Sequence, residues 1–372
     1  MNNSIKLIFS GDFVPNLGKV FSESVFSDEL IKLLGQNDVH ITNLESPLTL
    51  SENKIKKSGP HLKAEPKNIK LLKSAGVNIA CLANNHIYDF GEEGINDTIE
   101  ICKENGIETL GIVNRTDGNP HCLIKEIKGK KIGFLNYCEH EFSVREHGLL
   151  GACGFSPIDA YYDICKLKQQ ADYIIVIYHG GNEYYPLPNP EMKKSFRYLA
   201  ELGADAVIGH HTHVYSGYEI YNCKPLVYSL GNFFFSYPGE PEEWNFGLIC
   251  TLNISSEITV DLHPIIQCRD KVETKMAGET VKQKMLSNIS QLSEWIQNEE
   301  SLIISWDAFC ETKRVAYIKQ FPCFSSLLKI ALKIGIPLKY LLPESRVIGY
   351  ENMLRCQAHF EIIKYILKKR GN

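Results

Sequence analysis

Three imidazoles fall within four residues at His210-His211-Thr212-His213, the densest concentration of reactive side chains in the chain. Histidine is the commonest transition-metal ligand near neutral pH. If the apolar Ala206–Ile208 strand continues extended through this segment, His211 and His213 share one side and His210 takes the other. We therefore take His211 and His213 as ligands of one centre and His210 as a packing or bracing residue. Four other segments place reactive groups where an apolar strand gives way to a loop. Asp12 follows Ile5–Ser10. Glu45 follows Val39–Asn43 and precedes a Ser-Pro pair that a helix would not continue through. Asn84, Asn85 and His86, with Asp89 beyond, follow Val77–Ala83. His179 follows Tyr173–Tyr178, and its two trailing glycines suggest close backbone approach to a ligand. Taken singly, each has a bland reading as a loop carboxylate, an Asn turn or a core histidine.

Taken together, Asp12, Glu45, Asn85, His179, His211 and His213 form a mixed oxygen and nitrogen ligand set without a thiolate. That disfavours a structural zinc site and suits Mn, Fe or Zn. Six protein ligands exceed what one catalytic metal needs while keeping positions open. Two divalent ions about 3.5–4 Å apart would use them.

The elements that must position these groups alternate between short apolar strands and helical patterns up to about residue 230. Helices are expected over Phe26–Leu34, Pro66–Ala75, Glu92–Glu104, Pro157–Gln169 and Glu191–Leu202, with proline well placed at two of the starts. Cys122–Ile127 and Lys131–Tyr137 flank Lys128-Gly129-Lys130, a hairpin signal. The sum is an α/β fold with some antiparallel pairing, whose ligands sit at strand ends. From about Thr274 helical periodicity takes over, which divides the chain into 1–273 and a helical extension, 274–372. Residues 311–372 hold 12 Lys or Arg against 4 Asp or Glu. Such a tail is a solvated helical layer or a peripheral contact with an anionic membrane surface or polymer.

The chain has 372 residues and a formal net charge of -4, which argues against a generic nucleic-acid binder. Its 12 cysteines include no CxxC pair, so free thiols in a reducing cytosol are expected rather than a disulfide framework. The opening apolar run is too short for a signal-peptide core, and no stretch reaches the roughly 18 apolar residues of a membrane span. The expected location is cytoplasmic.

The motifs GDFVPN (11–16), NLESPLT (43–49), LANNHIYDFGEEG (82–94), HGGNEYYPLPNP (179–190), IGHHTHV (208–214) and YSLGNFFF (228–235) resemble, in order, those of the calcineurin-like metallophosphoesterase superfamily, and more closely its capsule-synthesis CapA (poly-γ-glutamate biosynthesis) branch. The resemblance implies a four-layer α/β/β/α sandwich with a dinuclear centre. Asp12 and His213 would hold the first metal, Glu45 would bridge, and Asn85, His179 and His211 would hold the second. His86 would contact the scissile group or protonate its leaving oxygen. The broad superfamily has a histidine two residues after the first aspartate; here Val14 stands there, which leaves the first metal with fewer ligands. Many proteins of the branch carry an N-terminal membrane anchor, and none is expected here.

The expected activity is hydrolysis of a phosphoester or related bond in an anionic substrate, such as a capsule polymer or precursor, by a hydroxide held between two metals. Asp89 would orient His86; Asn84, Glu183 and Asn232 would touch substrate or brace ligands, and Glu219 is a weaker candidate for the same. Two other readings stay open: a non-hydrolytic component of a polymer assembly complex, and an amide hydrolase acting on γ-linked polyglutamate. Substrate choice would lie in the loops at Pro186–Pro190 and Ser236–Trp244.

Overall fold

Every residue of the first strand, β1 (Ile5–Val14), is buried except Lys6, as a central strand of a covered sheet requires. The computed structural model describes residues 4–16, 25–114, 122–145, 149–236, 242–320, 330, 333–334 and 342–369. After β1 come α1 (Asp28–Leu34), β2 (Val39–Leu44), α2 (Ile69–Ser74), β3 (Ile79–Cys81), α3 (Gly91–Glu104), β4 (Glu108–Leu110) and β5 (Ile112–Val113). A hairpin of β6 (Cys122–Ile127) and β7 (Lys130–Cys138) follows, then β8 (Gly151–Ala152), α4 (Pro157–Leu167), β9 (Tyr173–His179), α5 (Pro190–Leu202) and β10 (Ala206–His210). The remaining strands are β11 (Tyr218–Tyr221), β12 (Lys224–Val227), β13 (Asn232–Phe235), β14 (Phe246–Ile254), β15 (Ile258–Gln267) and β16 (Thr274–Met276). Helices α6 (Glu279–Gln297), α7 (Glu299–Gln320), α8 (Glu344–Arg355) and α9 (Gln357–Lys368) close the chain.

Two sheets face each other across one apolar core. The larger runs β16-β15-β14-β1-β2-β3-β4, with β13 also paired to β1; the smaller runs β11-β12-β10-β9-β7-β6. Helix α3 packs on β4 outside the larger sheet, and α5 packs on β10 and β12 outside the smaller. This is the helix, sheet, sheet, helix layering expected. Strands β1, β2 and β3 are mutually parallel, as are β7, β9, β10 and β12. Parallel strands gather their carboxyl ends on one edge, where α/β sheets bind ligands.

Three expectations change. The last strand, β16, carries the sheet past the boundary drawn at residue 273, because Thr274–Met276 pairs with Ile265–Gln267. The helical extension therefore begins at Glu279. The long antiparallel pair β14 and β15 was not expected from the sequence. Pro66 opens a short 3-10 turn, Pro66–Asn68, before α2.

The approach of β13 to β1 depends on glycine. A Cβ on Gly11 would lie 2.0 Å from the carbonyl oxygen of Gly231, so no other residue fits there. The pairing slips at Asp12 on both sides of β1, as at a β-bulge.

Beside this crossing, His40 of β2 is fully buried, with Nε2 2.8 Å from Ser10 Oγ and Nδ1 3.0 Å from Ala75 O. Burial lowers its pKa to about 4, against the pull of the Ala75 bond. The unfolded chain takes up a proton near pH 6.5, which the fold excludes until about pH 4, so stability declines as pH falls through that window. Urea unfolding of His40→Gln should lose about 2.5 kcal/mol less than the parent between about pH 7 and pH 4.5. An equal loss in both proteins would remove His40 from the acid response.

Candidate metal centre

Glu45 lies just beyond β2, fully buried, and its backbone N–H bonds Phe13 O. Neither carboxylate oxygen accepts a hydrogen bond among the described residues. Oε1 sits 3.4 Å from His179 Nε2, and Oε2 sits 3.9 Å from His213 Nδ1. A desolvated carboxylate without partners is costly. Burial and the neighbouring Asp12 push its pKa well above the usual carboxylate range.

Around Glu45 the ligand atoms fall into two groups. Asp12, Glu45 and His213 form one and Glu45, His179 and His211 the other, each with its ligand atoms within 4.8 Å of one another. His211 Nδ1 and Asn85 Oδ1 each lie 3.0 Å from His179 Nε2. His213 Nδ1 lies 3.6 Å from Asp12 Oδ2. Burial, reinforced by the surrounding imidazoles, holds the pKa of His179 well below its ordinary value, which leaves a neutral ring with a free lone pair. Burial works against ionisation of Asp12, but His210, His213 and Asn43 outweigh it and lower its pKa. Oxygen and nitrogen atoms thus converge on a buried carboxylate that accepts no hydrogen bond among the described residues. These residues fit divalent cations.

Supporting contacts set the geometry. The Asn43 amide donates to Asp12 Oδ1 at 2.7 Å and lies 3.1 Å from His179 Nδ1, tying the two sheets together at the centre. Asn232 Oδ1 lies 3.0 Å from His213 Nδ1 and braces that ring. Asn84 donates to Leu44 O and accepts from the backbone N–H groups of His86 and Ile87, so it shapes the loop.

The histidine cluster does not continue as a strand. β10 ends at His210, and the backbone turns with φ of 93° at His211 and 58° at His213. The two rings converge through this turn, not through strand alternation. Positive φ in non-glycine residues costs about 1–3 kcal/mol each and marks functional sites. Nor does His210 simply pack: its Nδ1 lies 3.4 Å from Asp12 Oδ1. Glu219 is elsewhere. It accepts from Arg197 at 2.7 Å and from Tyr228 at 2.6 Å on the β11 edge, outside the cavity.

The centre opens into a cavity of about 450 Å³. Asn85, His86, Glu183 and His213 line it together with Phe235, Tyr184 and Trp244. His86 Nδ1 lies 2.8 Å from Asp89 Oδ2 and 3.1 Å from Lys57 Nζ, and Lys57 is ion-paired with Asp89. Burial lowers the pKa of His86; the Asp89 bond opposes this and the Lys57 charge adds to it. Sequence reasoning missed Lys57, whose only signal was a run of exposed-looking lysines. It also missed Asn352 and His359, which reach the cavity from α8 and α9. Of the two loops expected to govern substrate choice, residues 237–241 lie outside the described residues.

The profile of the family described as "Bacterial capsule synthesis protein PGA_cap" matches residues 6–237. The PGA biosynthesis protein CapA of Bacillus subtilis (strain 168) is 32% identical over 203 residues, covering 52% of this chain and 52% of that protein. The capsule biosynthesis protein CapA of Bacillus anthracis is 29% identical over 213 residues, covering 54% of this chain and 51% of that protein. The chain thus spans about half the length of the curated relatives it matches. Among solved structures, a hypothetical protein from Thermus thermophilus superposes with a TM-score of 0.44 at 15% identity, covering 70% of this chain and 98% of that one.

Glu45→Gln tests the fit to cations. Without metal it keeps the shape and removes a disfavoured buried acid, so stability should change by no more than about 1 kcal/mol. Mn²⁺ at about 100 times its dissociation constant should stabilise the parent by about 2.7 kcal/mol in urea unfolding. The variant should gain little. Equal gains in both proteins would exclude Glu45 as a ligand.

Proposed function

The chain belongs to the bacterial capsule synthesis protein PGA_cap family, and from that premise we propose that it is a dinuclear, metal-dependent hydrolase acting on an anionic substrate of capsule-polymer synthesis. The observation that carries this reading is the unpartnered Glu45 carboxylate, with one oxygen toward His179 and the other toward His213 beside Asp12. In this reading Asp12, Glu45 and His213 hold one cation, and Glu45, Asn85, His179 and His211 hold the second. When bound, such cations acidify water and neutralise charge on the group under attack.

The chain's own groups do the rest. Asn43 keeps Asp12 and His179 at fixed separation, and Asn232 keeps the His213 ring turned inward. Close placement of the reacting groups removes much of the entropy cost of their encounter. His86 stands on the cavity wall and donates a proton to the leaving oxygen. Asp89 orients its ring and favours the protonated form, while Lys57 limits that preference. Lys57, ion-paired with Asp89, stands on the same wall. Among the described residues no helix is long and apolar enough to cross a membrane, and the charge of the basic extension suits an anionic polymer or lipid surface.

With Mn²⁺ loaded, the full chain should hydrolyse a generic phosphodiester, and Asp12→Asn and His213→Ala should each lower kcat/KM by about 100-fold or more. Unchanged activity in either would sink the ligand assignment. A γ-linked glutamyl polymer assayed in parallel separates amide from phosphoester cleavage. Binding of that polymer without turnover of either compound would favour an assembly role.

His86→Gln should lower kcat by about 10²–10⁴-fold while leaving metal content unchanged. A proton donor works only while protonated, so activity should fall as pH rises through the lowered His86 pKa. Lys57→Met removes an adjacent positive charge, raises that pKa and should move the falling limb to higher pH. A limb that stays put would assign it to another group.

A further inference from the structure

We propose that Glu141, Cys356 and His359 form a further divalent-cation site, of the zinc type, at the seam between the helical extension and the sandwich. This goes beyond the hydrolase reading and does not rest on it. The three residues come from segments more than 200 positions apart: Glu141 follows β7, Cys356 is the hinge between α8 and α9, and His359 lies in the first turn of α9. Their ligand atoms all lie within 4.8 Å of one another.

The surroundings carry the assignment. Cys356 is 1% exposed. Its Sγ lies 3.2 Å from Glu139 Oε2 and 3.5 Å from Glu141 Oε1. Glu139 is satisfied without a cation: Oε1 accepts from Gly181 N and Oε2 from Ala358 N, which caps α9. The thiol bond to Glu139 explains Cys356 alone. It does not account for Glu141 and His359 converging on the same point. Among the described residues no ion pair reaches Glu139 or Glu141, so two carboxylates and a thiol share one seam with no bonded cation. Tyr317 of α7 bonds His359 Nδ1 and fixes the ring, as outer partners of metal-bound histidines do.

Zinc accepts one sulfur, one imidazole nitrogen and one carboxylate oxygen together, whereas magnesium and calcium take oxygen donors and disfavour the sulfur and the imidazole. Binding would transfer the Cys356 proton to solvent, leaving the thiolate as ligand. The ion would then pin α8 and α9 to the sandwich. Because Asn352 and His359 line the cavity, its occupancy would also set that wall.

Titration of the full chain with Co²⁺ tests this. A thiolate ligand gives a near-ultraviolet sulfur-to-cobalt charge-transfer band, which the Glu45 centre cannot produce because it contains no sulfur. The band should appear in the parent, survive in Asp12→Asn, and vanish in Cys356→Ser. His359→Gln should also abolish it, and Tyr317→Phe should weaken Co²⁺ affinity by about 10–100-fold. Absence of the band in the parent, or its persistence in Cys356→Ser, would overturn the proposal. If Cys356→Ser does not fold by circular dichroism, His359→Gln decides: a band unchanged there overturns it. Loss of Mn²⁺-dependent turnover in Asp12→Asn with the band intact would bear only on the other centre.

Discussion

A fully buried carboxylate with no hydrogen bond to either oxygen among the described residues organises this molecule. Imidazoles and the Asp12 carboxylate crowd Glu45, and among the described residues no lysine or arginine forms an ion pair with it. Its burial has consequences one shell out. His179 is held neutral, Asp12 is held ionised, and Asn43 bridges the two. Each of these states favours cation binding and would be a poor choice for stability alone, since a sandwich of this size could fill the same volume with apolar side chains.

The backbone reflects the same demand. His211, His213 and Tyr184 all adopt positive φ beside the centre. Gly11 and Gly231 let β13 close on β1 at the residue before Asp12, with the carbonyl of Gly231 where a side chain would otherwise stand. Gly231 O also accepts from Asp12 N at 3.0 Å. Positive φ and close backbone approach thus recur where the functional atoms converge, and the surrounding strands carry the packing that holds them there.

Much of this was legible in the sequence because the parallel strands announce themselves. Ile5–Ser10 and Tyr173–Tyr178 are short apolar runs ending in polar, chemically capable residues, and strand ends in α/β folds are where such residues matter. The six residues read as ligands are brought together. Other features were hidden for physical reasons. The strand β15 contains Asp261, His263 and Pro264, which argue against a strand until β14 and β16 pair with it. The turn at His211 is hard to read from residue type, since histidine favours positive φ only weakly and an extended strand suits it as well. His359 and Asn352 reach the cavity only through the packing of α8 and α9, a contact between segments no local pattern connects. Glu219 shows the opposite failure. It was the weakest candidate for touching substrate or bracing a ligand, and its partners are Arg197 and Tyr228.

The pairing of β1 has a consequence for synthesis. The strand that bears Asp12 is made well before two of its neighbours, β13 and β14, which start at Asn232 and Phe246. Its hydrogen-bonding edge on that side must wait for more than 200 further residues to be made. Contacts this far apart in sequence close slowly, and an apolar strand left open in the meantime is prone to pair with another chain. The histidines of the ligand set are all made before β13, which closes the Gly11 side of β1. A cation that reaches the nascent chain before His179 is made would meet only Asp12, Glu45 and Asn85, and not the histidines that complete either group.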